Sequence, residues 1–132
     1  MVTVFRNILP DFVDERGSIT KVLDDGKTVI RSVLLLTCKK GSIRANHYHR
    51  KDSHFSYLLS GRMEYTEQPV DSSGNPKGNK ETVIIEAGDM VYSAPMAMHA
   101  MKFTEDSVFL ALATESRHQG AYEEDTVRVK LI

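Results

Sequence analysis

The sequence predicts an all-β protein, an antiparallel sandwich or barrel, and three observations carry that prediction. Short runs rich in Val, Ile, Thr, Tyr and Phe recur along the whole chain, separated by Gly, Pro, Asp and Asn. Nowhere do apolar residues hold a 3.6-residue period for three turns between capping residues. The chain has 132 residues, enough for one domain with its own core and too few for two. A single domain over residues 1–132 is therefore expected.

The elements follow in order. A charged turn, Asp14-Glu15-Arg16-Gly17, precedes a strand at 17–23, where Ile19, Lys21 and Leu23 alternate with Ser18, Thr20 and Val22. Residues 29–38 form a longer run, β-branched and leucine-rich, apolar enough to be buried on both faces. Further strands are expected at 42–48, 55–60, 62–66, 82–85, 90–92, 100–103, 108–113 and 127–131. Ser60-Gly61 and Gly88-Asp89 supply residues that bends require. Residues 67–80, with Pro69, Gly74, Pro76 and Gly78, read as one long loop inside a hairpin. A small barrel has edge strands to hide, so a homodimer is expected, with the apolar stretch 2–12 as its swapped or added strand.

Composition narrows the function classes. Seventeen Lys and Arg oppose eighteen Asp and Glu, for a net charge of −1, so nothing electrostatic points to nucleic acid as a partner. One cysteine, Cys38, cannot make an internal disulfide, and its apolar neighbours mark it as a core thiol rather than a nucleophile. No apolar run is long enough to cross a bilayer as a helix, and Met1 to Phe12 does not read as a signal peptide. A reduced, cytoplasmic protein without a membrane partner is the expectation.

The histidines carry the chemistry. His47 and His49 are one residue apart in a predicted strand, so both imidazoles leave the same face. His54 follows across the polar turn Arg50-Lys51-Asp52-Ser53, and His99 lies far downstream after Pro95. Four imidazoles suit a divalent transition metal such as Zn, Ni or Fe better than Mg or Ca. His118 reads as a loop residue outside this set. The same pattern also fits hydrogen-bonded histidines with no metal.

The glycines around these histidines resemble the first motif of the cupin superfamily. That motif runs glycine, five residues, His-x-His, three or four residues, glutamate, six residues, glycine. Here Gly41, His47, His49, His54 and Gly61 stand in register, with His54 in the glutamate position. The second cupin motif is matched loosely by Gly88, Pro95, Ala97, His99 and Phe103. The resemblance implies a jelly-roll barrel, the double-stranded β-helix of two facing sheets, with a metal held by His47, His49, His54 and His99 at its mouth.

Narrower stretches are similar to the nucleotide-sugar cupins. Asp14-Glu15-Arg16-Gly17-Ser18-Ile19 resembles the D-x-R-G-x-hydrophobic stretch of 3,5-epimerases and 3,4-ketoisomerases. Gly41 to Tyr48 resembles the epimerases' glycine, hydrophobic, arginine, histidine and aromatic pattern, and Ala45-Asn46-His47-Tyr48-His49 a capsular-sugar reductase cupin. The resemblance implies Arg44 as the residue that holds a substrate diphosphate and His47 as the catalytic base beside a 4-keto group. Strand alternation puts Arg44 on the face opposite His47, so a shared site requires a bulge between them. The function expected is a metal-binding cupin that acts on or binds a nucleotide-linked keto-sugar in surface-polysaccharide synthesis. A metal-dependent dioxygenase for a small organic substrate and a non-catalytic sugar-binding cupin are the alternatives.

Overall fold

A computed structural model describes residues 1–132. The elements in chain order are β1 (Thr3–Phe5), β2 (Phe12–Asp14), β3 (Gly17–Ile19), β4 (Ser32–Cys38), β5 (Ile43–His49), β6 (His54–Ser60), β7 (Arg62–Pro69), β8 (Glu81–Glu86), β9 (Met90–Ser93), β10 (Ala97–Phe103), β11 (Ser107–Ala113), α1 (Gln119–Asp125) and β12 (Thr126–Arg128). The first sheet has the order β1-β9-β6-β11-β4 and the second β12-β5-β10-β7-β8, while β2 and β3 form a separate ribbon. Every pairing is antiparallel, so the all-β expectation holds. No helix is long and apolar enough to cross a membrane.

The core lies between the sheets. Leu58, Val91, Phe109 and Ala111 of the first meet Met63, Tyr65, Ile85, Met101 and Phe103 of the second, and Cys38 is buried among them. Period-two alternation explains this, since each strand sends every other side chain inward. The strand at 32–38 departs from expectation. It alternates, with Leu34 and Leu36 packed on the core and Val33 and Leu35 exposed, because the outer face of the first sheet is left open at this edge strand.

Other differences have local causes. Residues 17–23 contribute only three strand residues, paired with β2. The stretch 2–12 is divided: β1 joins the edge of its own chain's sheet beside β9, and the chain enters the ribbon at Phe12. The long loop begins after Pro69 and is folded on itself, with Asp71 accepting hydrogen bonds from the backbones of Ser73 and Asn75. Helix α1 was not legible, because seven residues with no buried side chain carry no apolar period.

Gly61 joins β6 to β7 with φ +92°, and an added Cβ would stand 2.1 Å from Ser107 Oγ and 2.5 Å from the Asp106 carbonyl. Both the left-handed backbone and the close approach require glycine there. Gly61→Ala should cost at least about 2 kcal/mol of stability, from left-handed strain plus the displaced β11 turn. Gly26→Ala, at φ +71° with open space around it, should cost about 1 kcal/mol. Urea denaturation checks the pair, and equal midpoints would contradict the close contact.

Candidate functional site

Four of the five histidines meet at one end of the barrel. The His47 ring lies 4.5 Å from that of His49 and 4.8 Å from that of His99, and the His54 ring is 5.1 Å from that of His99. His99 sits on β10, directly opposite His47 on β5. His54 comes from the facing sheet rather than from a hairpin neighbour, because the 50–53 turn carries the chain across the barrel. Ligand atoms of His47, His49 and His99 fall within 4.8 Å of one another, and those of His49, Asp52 and His54 form a second such group. The site is two overlapping clusters that share His49. His118 stands outside, exposed at the start of α1.

A bulge brings Arg44 to the same side. His99 pairs with His47 but Ala100 pairs with Ala45, so Asn46 is the extra residue. Ala45 and Asn46 take φ of 70° and 54°. The insertion reverses alternation, and Arg44 faces Met101 on the barrel side. Arg44, His47, His54, His99, Arg117 and Tyr122 then share a cavity of about 130 Å3. The Arg44 guanidinium donates from Nε to Cys38 Sγ (3.1 Å) and from Nη2 to the Thr37 carbonyl (3.1 Å), which leaves Nη1 for a ligand.

Hydrogen bonds fix the imidazole tautomers. Thr126 donates its hydroxyl proton to the Tyr122 carbonyl (2.5 Å), so its oxygen accepts from His49 Nδ1 (3.2 Å). His99 Nδ1 donates to the Ala97 carbonyl (3.0 Å). His54 Nδ1 faces Asp52 Oδ2 at 3.5 Å. In His49 and His99, both 1% exposed, Nε2 keeps its lone pair and has no partner. His47 has no such fixing partner and is half-buried beside Tyr122.

Burial, then the neighbouring His49 and His54, push the His47 pKa down to about 3. Burial and His54 bring His49 to about 4, and burial likewise holds His54 and His99 below the usual value. All four are neutral at pH 7. Burial pushes the Asp52 carboxyl up, but His54, Arg117 and the Glu115 backbone N–H hold it below its ordinary value. Neutral imidazoles with bare Nε2 atoms fit a divalent transition metal, with outer partners of the kind that orient metal-bound histidines.

Three residues of the site carried no readable signal. Tyr122 projects from α1, its ring 5.5 Å from that of His49, and the Arg117 guanidinium stacks 4.9 Å above it. Asp125 accepts backbone hydrogen bonds from Arg50, Lys51 and Asp52 and so clamps the turn between His49 and His54.

No protein-family model matches the chain, and no curated protein is close enough in sequence to count as a relative. Solved structures do match. The sugar 3,4-ketoisomerase of Thermoanaerobacterium thermosaccharolyticum in complex with TDP is 22% identical, with a TM-score of 0.73 over 96% of this chain and 87% of that one. The TDP-fucose-3,4-ketoisomerase of Campylobacter jejuni is 16% identical, with a TM-score of 0.71 over 96% and 87%. The dTDP-4-dehydrorhamnose 3,5-epimerase of Sulfolobus tokodaii is 19% identical, with a TM-score of 0.69 over 83% and 69%. The chain has the cupin barrel fold of these proteins.

The neutral histidines set a pH dependence. The unfolded chain takes up protons below about pH 6.5 that the folded site refuses, so stability falls as pH drops. For chelator-treated protein, urea midpoints should show a loss of at least about 2 kcal/mol between pH 6 and pH 5, at up to about 1.4 kcal/mol per unit for each neutral histidine. A flat profile over that interval would exclude a neutral cluster.

Proposed function

We propose that the chain binds a nucleotide-linked keto-sugar and moves a proton at the carbon next to its keto group. One observation carries this reading. The Ala45–Asn46 bulge turns Arg44 to the face of His47, so that a guanidinium and an unfixed imidazole line one cavity. The structural neighbours support it, since one was solved with TDP-4-keto-6-deoxyglucose and another with TDP.

The residues divide the work. The cavity of about 130 Å3 accepts a single ring, so the nucleotide lies outside it. A groove of about 560 Å3 borders the cavity, and Arg117 and Tyr122 line both. The Arg44 guanidinium anchors a phosphate oxygen through its Nη1 donors. His47, neutral and facing the cavity, accepts the proton from the α-carbon. An anionic diphosphate and the developing enolate both favour imidazolium, which raises the low pKa of His47 toward the working range. Arg117 and the Tyr122 hydroxyl line the same cavity and supply positive charge and a donor for the enolate oxygen.

A metal-centred reading has its own support. The fixed tautomers and unpartnered Nε2 atoms of His49 and His99 suit ligation, with His47 completing one group and His54 lying beside it. A bound divalent ion would supply Lewis acidity to a keto oxygen. His47 cannot then be a free base, because its lone pair is committed. Metal analysis of the purified chain, with His99→Ala alongside, separates the two. A stoichiometric transition metal lost at least ~10-fold in the mutant favours the metal centre.

The proton-transfer reading is tested in D2O with TDP-4-keto-6-deoxyglucose. Wild-type chain should place deuterium at the α-carbon, and His47→Asn should slow this by about 100-fold or more. Arg44→Ala should mainly raise the KM. TDP at 100 times its Kd should contribute about 2.7 kcal/mol and raise the melting midpoint by several degrees. Binding without exchange would reduce the chain to a sugar-binding cupin. No binding of any nucleotide-sugar would refute the reading.

A further inference from the structure

Five Ser and Thr residues are buried in the chain, and four of their hydroxyls are accounted for. Ser93 bonds Tyr65, Thr66 bonds Thr82, Ser107 donates to the Glu105 carbonyl and Thr126 to the Tyr122 carbonyl. Ser56 is the exception. It is 0% exposed on β6, and no group of the chain bonds its Oγ. Its register partners on the two flanking strands are Ala111 and Val91, whose side chains carry no polar atom. A buried hydroxyl without a partner destabilises the fold, so such groups are uncommon and call for a function.

The cavity supplies one. Ser56 lines the chamber that Arg44 and His47 share, two residues along β6 from His54 and so on the same face. The rest of the wall around it is apolar, formed by Leu34, Leu36, Met101, Phe109 and Ala111. Sheet order sets its depth. Arg44 is exposed, and its guanidinium is tied to the Thr37 carbonyl of β4, the edge strand of the first sheet. Strand β6 is the central strand of that sheet, two strands further in, or roughly 10 Å at ordinary strand spacing. A phosphate held by Arg44 stands at the open edge. The sugar attached to it reaches inward, with its far end toward Ser56.

We propose that Ser56 determines specificity in this site, its hydroxyl bonding a ring hydroxyl at the end of the sugar away from the phosphate. The inference rests on the nucleotide-sugar reading and adds what the ring must carry. The keto oxygen is served by Arg117 and Tyr122, so the group that meets Ser56 is a different oxygen. A hydroxyl suits Ser56 because either of the two can donate to the other. A deoxygenated carbon would fit the apolar neighbours but leave Ser56 Oγ unpaired. A site with a buried polar group rejects the analogue that lacks its partner.

Isothermal titration calorimetry with TDP, TDP-glucose and the 3-deoxy, 4-deoxy and 6-deoxy forms of TDP-glucose tests this. The wild type should bind one of the three deoxy sugars about 10-fold more weakly than TDP-glucose, the loss of one hydrogen bond. Ser56→Ala should bind TDP-glucose about 10-fold more weakly and no longer distinguish it from that deoxy sugar. Its Kd for TDP should match the wild type, because the nucleotide lies outside the cavity. Its urea midpoint without ligand should not fall, since alanine removes an unpaired hydroxyl, whereas a serine kept for structure would cost stability when lost. Equal wild-type affinities for TDP-glucose and all three deoxy sugars overturn the proposal. So does a Ser56→Ala chain that keeps the discrimination or unfolds at lower urea. A wild type that binds none of these ligands refutes instead the nucleotide-sugar reading on which the inference rests.

Discussion

The bulge in β5 is the constraint on which the site depends. Two consecutive non-glycine residues, Ala45 and Asn46, hold positive φ, a conformation that costs roughly 1–2 kcal/mol at each. Asn46 offsets that cost with hydrogen bonds to the end of the chain. Its Oδ1 accepts from the backbones of Leu131 and Ile132, its Nδ2 donates to the Ile132 carbonyl, and its own carbonyl accepts from Val129. The same contacts hold the C-terminal residues over the outer face of the second sheet, where Leu131 is buried. One strained dipeptide thus sets which way Arg44 points and where the chain ends.

A second set of contacts holds the histidines against their own desolvation. Burying several imidazoles is tolerable only if they stay neutral and their N–H groups find acceptors. Ala97 and Thr126 provide for His99 and His49, while His54 Nδ1 faces Asp52 at 3.5 Å without a hydrogen bond. Asp52 is itself buried at 3% exposure and is kept ionised by Arg117, by the Glu115 backbone and by His54. Arg117 in turn stacks on Tyr122, and Asp125, three residues on, fixes the 50–53 turn. Helix α1 is therefore tied to the site through Tyr122, Asp125 and Thr126.

Much of this was legible, and the unread parts share a physical cause. The strands showed in β-branched runs and turn residues, and the convergence of His47, His49, His54 and His99 followed from motif spacing. The bulge was legible only as a requirement: if Arg44 and His47 share a site, alternation must break between them. The partners on α1 were hidden because a seven-residue helix held by tertiary contacts leaves no periodicity. The one-sided exposure of β4 was misread for a related reason. An apolar run looks the same whether its outer face meets protein from its own chain or is left bare.

The barrel also has to separate this polar end from its apolar interior, and Tyr65 does so. Its ring lies nearly parallel to that of His99, 15° apart in plane and 6.2 Å between centroids, while the side chain packs with Met63, Ile85 and Phe103. Its hydroxyl donates to Glu67 Oε1 at 2.8 Å and lies 2.8 Å from Ser93 Oγ, so Ser93 supplies the second hydrogen bond as donor. Glu67 stands opposite His99 in the strand register, and burial raises its pKa. A carboxylate directly among the imidazoles would favour their protonated forms. Tyr65 directs one oxygen of Glu67 to a phenol, and burial is the first cause that keeps the imidazoles neutral. With His54 in the place of the motif's glutamate, the carboxylate of the cluster is Asp52, held by Arg117 and by the Glu115 backbone N–H.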